Sequence, residues 1–230
     1  MKALLLAAGF GSRLQPLTKT IPKCLVSIRG TPLLQYWLDL LLAGSVDEVL
    51  INTHYLHNEV KQFVEKSKWK SQIKLVHEAA LLGTGGTILK NKDFFGDKSF
   101  LVAHADNLTR FSLDKFCAKH SARPKNSVIT MMTFNTDSPE KSGIVSLNSE
   151  GVVINFHEKI IDPPGSIANA AVYIFEPQVI DFLRELRKPV IDLSTEVIPN
   201  FLGKISTFHN SDYHRDIGDL KSLQQANEEF

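Results

Sequence analysis

The sequence predicts an α/β fold: a mostly parallel sheet with helices on both faces, carrying a small inserted lid of mixed sheet. Three observations lead there. The first half alternates short apolar runs with helical stretches, the pattern of consecutive β-α units. Its first run, Ala3–Ala8, is continuously apolar, as expected of a strand covered on both faces. After about residue 125 the pattern changes to closely spaced strands joined by a tight turn.

Taken in order, Ala3–Ala8 is the first strand. Thr31–Gly44 reads as a helix, with Thr31 as N-cap, Pro32 at the first helical position and Gly44 at its end. Asp47–Thr53 is the second strand, His57–Lys68 the second helix, Gln72–His77 the third strand, Gly86–Phe95 a short helix and Phe100–Ala103 the fourth strand. Val128–Phe134 follows as a strand. Gly143–Leu147 and Val152–Phe156 form a hairpin about Ser149-Glu150-Gly151. Ala170–Phe175 is a strand, and Pro177–Leu186, Asp192–Phe201 and the segment from Asp219 are helices. These elements describe a single domain, 1–230, with a first part to about 125, an insertion over about 126–210 and a return over 211–230.

The bulk numbers exclude several classes. A chain of 230 residues, 43% hydrophobic and 22% charged, buries a substantial core. A net charge of +1 offers no basic face for nucleic acid. The densest apolar stretch, Pro32–Ala43, is too short to span a bilayer, so no membrane partner is expected. The start of the chain has the charge and apolar run of a leader, but the run passes into a glycine loop, and a buried strand explains it better. Cys24 and Cys117 have no metal or disulfide spacing, so reduced thiols in the cytoplasm are expected. Nothing in the pattern sets an oligomeric state.

The chemistry begins where the first strand ends, in Leu6-Ala7-Ala8-Gly9-Phe10-Gly11-Ser12-Arg13-Leu14. Glycines after a parallel strand let backbone N–H groups close on an anion. A dinucleotide fingerprint would need glycine where Leu14 stands, and a P-loop would need Gly-Lys-Ser/Thr. Instead Arg13, Pro16, Thr18, Pro22 and Lys23 follow, an extended path stiffened by two prolines and carrying two cations.

The run Leu6–Leu25 resembles the signature of the sugar-phosphate nucleotidyltransferases, and the Leu82–Gly86 loop is most similar to that of the short mannose or heptose 1-phosphate guanylyltransferases. The resemblance extends in order from Met1 to about Asn227. It implies a dinucleotide-binding-like α/β fold whose lid binds the sugar, transfer of a nucleotide from an NTP to a sugar 1-phosphate with release of pyrophosphate, and Mg²⁺ as cofactor. Arg13 and Lys23 become the catalytic cations, on the leaving phosphates and near the reacting centre. Leu6, Ala7, Ala8, Gly9, Gly11, Ser12 and Arg13 become the nucleotide loop, joined by Glu78 and by Gly83 and Thr84 of the Leu82–Gly86 loop.

Asp106, at the carboxyl end of the fourth strand, and Asp216, in Asp216-Ile217-Gly218, match the two metal ligands by the same resemblance; spacing alone never pairs them. Gly143, Glu158, Lys159 and Asn169 fall in the sugar-phosphate elements. Three positions depart from the pattern: Ala105 and Ala171 replace glycines, and Ile160 replaces a proline. The extra methyl of Ala171 would narrow a pocket floor. A cytidylyltransferase of an alcohol phosphate such as phosphocholine shares the glycine loop, and a regulatory subunit that binds nucleotide without turnover shares the fold. The histidine pairs His54/His57 and His209/His214 lack a tetrahedral zinc set.

Overall fold

The computed structural model describes residues 1–230. The chain divides into two compact units, Met1–Leu81 with Ala103–Leu113 and Asp212–Phe230, and Leu82–Val102 with Asp114–Ser211. The architecture is mixed α/β, as predicted. The strand Phe100–His104 passes from the second unit into the first.

In the first unit the strands Lys2–Leu6, Glu48–Thr53 and Ile73–His77 run parallel, with Leu4 opposite Leu50 and Ile51 opposite Leu75. The central one is buried from Val49 to Thr53, as a strand covered on both faces must be. Helix Leu33–Leu42 buries Leu33, Leu34, Trp37, Leu38, Leu41 and Leu42, a single apolar stripe. Burying an indole such as Trp37 contributes roughly 5 kcal/mol on transfer scales. The helix starts later than its sequence signals suggest. Thr31–Pro32 instead pairs with Ser27–Ile28, and the Leu33 N–H donates to Val26 O (3.0 Å). Pro32 therefore caps the helix with extended ψ (142°) instead of opening it.

This unit also holds a two-stranded antiparallel ladder. Asn107–Arg110 pairs with Tyr213–Asp216, with Asp216 opposite Asn107. It rests on a cluster of Leu14, Val26, Ile28, Leu33, Leu108 and Ile217. Trp37 Nε1 donates to Asn107 O (2.8 Å), tying the ladder to the helix. The chain ends in helix Leu220–Glu229, with a reciprocal cap between Asp219 and Ser222.

In the second unit, strand Ile129–Asn135 pairs antiparallel with Ile167–Phe175 and parallel with Ile205–His209. The predicted hairpin is Gly143–Leu147 with Val153–Glu158. The helix expected over Gly86–Phe95 starts at Gly83 and breaks at Asn91 into Gly83–Lys90 and Lys92–Phe95. Gly83 at φ 74° makes the turn, and the Thr87 hydroxyl locks it by donating to Gly83 O (3.0 Å). Asp192–Phe201 is likewise two pieces, a π turn Leu193–Val197 capped by Asp192 and a 3₁₀ turn Ile198–Phe201, where Pro199 lacks the N–H a continuous helix needs. No helix is long and apolar enough to cross a membrane.

Candidate functional site

The glycine loop leaves the Lys2–Leu6 strand at the carboxyl edge of the parallel sheet, where open α/β sheets place their clefts. Gly11 sits at φ 64°, and a Cβ there would lie 3.0 Å from Thr18 Cγ2 and 3.1 Å from Lys23 Cβ. Glycine is thus required twice over, for conformation and for space. Thr18 Oγ1 donates to Gly11 O (2.7 Å), holding the returning chain against the loop. That returning chain is not extended, as its prolines suggested. It is three single 3₁₀ turns, Ser12–Leu14, Leu17–Lys19 and Lys23–Leu25, separated at Pro16 and Pro22. Leu14, standing where a dinucleotide loop has glycine, is fully buried and anchors the first turn.

An open cleft of about 280 Å³ lies over this loop, lined by Gly9, Phe10, Gly11, Ser12 and Arg13 on one side. Lys23, Asp106 and Gly218 complete it. Asp106 follows the Phe100–His104 strand, and its neighbour Ala105 donates its N–H to Leu6 O (3.0 Å) without a left-handed backbone, so the methyl is accommodated. Asp216 comes from the far end of the chain. The ladder sets it opposite Asn107, and the Ile217 N–H donates to Asp106 O (3.2 Å). The fold therefore brings together two acids that sequence spacing cannot relate.

Between them lies Lys23. Its Nζ is 2.6 Å from Asp106 Oδ2 and 3.5 Å from Asp216 Oδ1. Burial opposes the charge of this ammonium, yet Asp106 and then Asp216 raise its pKa above the ordinary lysine value. Desolvation likewise pushes Asp106 toward its neutral form, but Lys23, with His104, holds it below the usual carboxylate range. Asp216 shifts upward, from desolvation and from repulsion by Asp106, against the pull of Lys23 and Arg13. Arg13 and Asp216 both approach Gly218: a Cβ there would lie 2.9 Å from Asp216 Oδ2 and 3.2 Å from Arg13 Nη2. Gly218 and Phe10 are cleft residues the sequence reading passed over, although Gly218 stands inside the quoted Asp-Ile-Gly motif.

Glu78 is buried beside the loop, its Oε1 accepting from Asn52 Nδ2 (2.9 Å). Cys24, next to Lys23, is an inward packing residue whose thiol is pushed up to about 12, mainly by burial. Both cysteines are free.

The remaining predicted residues lie in the second unit. Glu158 stands opposite Gly143 in the hairpin, and a Cβ on Gly143 would fall 2.7 Å from Glu158 Oε2 and 2.6 Å from the Phe156 ring. Lys159 Nζ is 3.2 Å from Glu158 Oε1. Asn169 lies in a bulged stretch of the Ile167–Phe175 strand. Its Oδ1 accepts from the Ala171 N–H (2.9 Å), and its Nδ2 donates to Tyr173 Oη (2.6 Å). Burial holds the Tyr173 phenol protonated. This tyrosine orients the asparagine, a role invisible without the bulge. Gly83 and Thr84 open the Gly83–Lys90 helix, and their close approach is to protein. A Cβ on Gly83 would lie 2.4 Å from Ile191 O, and Thr84 Oγ1 accepts from the Leu193 N–H (2.7 Å).

Ala171 occupies the left-handed region at φ 52°, where the family pattern has glycine. Such a backbone costs a non-glycine residue roughly 1–2 kcal/mol, partly offset by the greater unfolded-state entropy of glycine. Ala171→Gly is therefore expected to stabilise the chain by about 0.5–1 kcal/mol. The urea midpoint should rise with an unchanged slope; an unchanged or lower midpoint would show that the bulge carries no strain.

The profile of the family described as Nucleotidyl transferase matches residues 2–230. The UTP–glucose-1-phosphate uridylyltransferase of Synechocystis sp. is 30% identical, over 98% of this chain and 62% of its own length. The mannose-1-phosphate guanylyltransferase of Mycobacterium tuberculosis is 31% identical, over 94% of this chain and 60% of its own. The chain thus spans about three-fifths of the length of these curated relatives. Among solved structures, a putative glucose-1-phosphate thymidylyltransferase from Bacillus anthracis, in complex with a sucrose, superposes with a TM-score of 0.90 at 22% identity, covering 99% of this chain and 94% of its own. HddC from Yersinia pseudotuberculosis, complexed with GMP-PN, gives 0.83 at 24%, covering 100% and 99%. At those identities the two structures support the fold alone.

Proposed function

We propose, because this chain belongs to the nucleotidyl transferase family, that it joins a nucleoside triphosphate to a sugar 1-phosphate and releases pyrophosphate, working in the cytoplasm. The observation that carries the reading is the convergence of Lys23, Asp106 and Asp216 beside a glycine loop that also presents Arg13. Relatives named for mannose 1-phosphate and guanine support a GDP-manno-type product, a hexose or heptose derivative.

The reaction is an in-line displacement. A phosphate oxygen of the sugar 1-phosphate bonds to the α-phosphorus of the triphosphate, and the bond from that phosphorus to the α,β-bridging oxygen breaks. The electron pair leaves with pyrophosphate. The nucleophile is already anionic, so no proton need move. The obstacle is repulsion between two polyanions, and positioning plus charge compensation are what the protein supplies. Two unit charges about 4 Å apart interact by about 4 kcal/mol at an effective dielectric near 20.

In this reading the loop N–H groups and Arg13 bind the triphosphate, and Lys23 moves from the carboxylates to the phosphates near the reacting centre. Lys159 receives the sugar phosphate, while Glu158 and the Tyr173-oriented Asn169 receive sugar hydroxyls.

The donor set suits Mg²⁺. No three His, Cys, Asp or Glu side chains form a cage, but two carboxylates already draw one cation between them. Mg²⁺ characteristically takes one or two carboxylates with phosphate and water oxygens. Asp106 and Asp216 would hold it, and its chemistry there is to neutralise charge on phosphate oxygens. The test is a panel of four NTPs against several sugar 1-phosphates and phosphocholine, scored by pyrophosphate and by product mass. A sugar nucleotide formed in step with pyrophosphate supports the reading. Turnover of CTP with phosphocholine alone would replace it, and nucleotide binding without turnover would make the chain a regulatory subunit.

A further inference from the structure

Glu78 follows the Ile73–His77 strand and is only 6% exposed. A carboxylate so placed needs partners. Asn52, near the end of the neighbouring Glu48–Thr53 strand, supplies one to the carboxylate, while Thr53 and His54 hold the Glu78 backbone. Asn52 Nδ2 donates to Glu78 Oε1 (2.9 Å), Thr53 O accepts from the Glu78 N–H (2.8 Å), and His54 Nδ1 donates to Glu78 O (2.7 Å).

Two of these residues also reach the glycine loop. Asn52 Oδ1 accepts from the Ala7 N–H (2.8 Å). The His54 ring meets Phe10 edge to face, with centroids 5.4 Å apart. Phe10 lines the cleft and is 51% exposed, a flat apolar face open to a ligand. The Asn52 amide cannot be reversed, since Ala7 N–H only donates and a carboxylate only accepts. Glu78 is therefore held, in one orientation, one side chain away from the loop.

We propose that Asn52 is a positioning residue for nucleobase selection, holding Glu78 as an acceptor-only group that favours guanine. The inference rests on the nucleotidyl transfer reading above. Among the common bases only guanine presents two adjacent donors on one edge, N1–H and N2–H. Uracil and thymine place a single donor between two carbonyls. Adenine and cytosine set a ring acceptor beside their amine, which a carboxylate repels. Each carboxylate oxygen accepts more than one hydrogen bond, so Glu78 Oε1 can keep Asn52 and still serve a base. Phe10, fixed by His54, would lie under the ring. Without the Asn52 amide, Glu78 keeps its backbone ties but loses the bond through which its carboxylate is tied to the glycine loop, so the effect falls on base recognition and not on the phosphates.

The test uses the full chain and the near-isosteric Asn52→Leu, with GTP and UTP as probes. Loss of one charge-assisted hydrogen bond is worth about tenfold or more. Asn52→Leu should raise KM for GTP at least tenfold with kcat within about threefold, and should lower the GTP-over-UTP ratio of kcat/KM by the same factor. Glu78→Gln should lower that ratio too, and the double variant should lose no more than Glu78→Gln alone. A fall in Tm with an unchanged GTP preference, or losses that multiply in the double variant, would overturn the role of Asn52.

If Asn52→Leu fails to fold, an unchanged preference in Glu78→Gln overturns it instead. Calorimetric binding of GTP and UTP without sugar phosphate separates this inference from the reading beneath it. Wild-type protein that binds GTP at least tenfold tighter, an advantage lost in Glu78→Gln, supports base selection even if no sugar phosphate is turned over. Equal or tighter UTP binding refutes it, even in an active transferase.

Discussion

Asp106→Asn is expected to depress pyrophosphate release by about a thousandfold or more while the chain remains folded. The carboxylate is the partner nearest Lys23 and one of two acids available to a divalent ion. The amide keeps its size but carries no charge to fix either cation. Removing a single well-placed electrostatic group from a reacting centre typically costs 10²–10³ in turnover, and here one group serves two cations. The backbone position should survive, because the Ala105 N–H still donates to Leu6 O and the Ile217 N–H to Asp106 O. Buried Lys23 would retain Asp216 at 3.5 Å, so a stability loss of about 1–3 kcal/mol is the expected side effect. Pyrophosphate release at saturating substrates, with a urea melt of the same sample, checks both halves. Wild-type turnover would refute the role of Asp106.

Lys23→Met carries the second largest effect. The side chain keeps its length and apolar stem but leaves the substrate anions uncompensated. Removing about 4 kcal/mol of charge compensation corresponds to about a thousandfold in rate. The same change leaves Asp106 and Asp216 facing each other with no ammonium between them. Mn²⁺ should therefore bind the free variant more tightly than the wild type, while turnover falls. Loss of turnover with unchanged Mn²⁺ affinity would mean that Lys23 and the ion do not compete for the carboxylates. The opposed directions distinguish a lost cation from a collapsed site.

Much of this site was legible because its residues lie within one short stretch. Gly9, Gly11, Arg13 and Lys23 reach the cleft from one short stretch, and the first parallel strand announced itself by an apolar run whose centre the fold buries. The last helix was legible from about Asp219, the residue that caps it. What sequence could not supply was pairing at a distance. Asp216 meets Asp106 only through the ladder of Asn107–Arg110 with Tyr213–Asp216, and Trp37 braces that ladder from the helix Leu33–Leu42.

Glycine was ambiguous for the same reason. Gly11 makes room for Thr18 and Lys23 near the cleft, whereas Gly83 makes room for the Ile191 carbonyl. Which neighbour approaches a glycine is a tertiary fact. The helices read over Gly86–Phe95 and Asp192–Phe201 ran through breaks because apolar periodicity is blind to the interruptions at Asn91 and Pro199. Tyr173 reaches Asn169 because a bulge shortens the strand between them, and periodicity gives no sign of that either.

The most direct test of the central claim, that Asp106 and Asp216 share one ion while Arg13 and Lys23 attend the phosphates, is anomalous diffraction from crystals grown with Mn²⁺ and a non-hydrolysable NTP. The predicted result is one strong peak in contact with both carboxylates and a phosphate oxygen, with Lys23 Nζ moved off Asp106 onto the phosphates. A peak elsewhere, with Lys23 still between the two acids and nucleotide bound, would contradict the account.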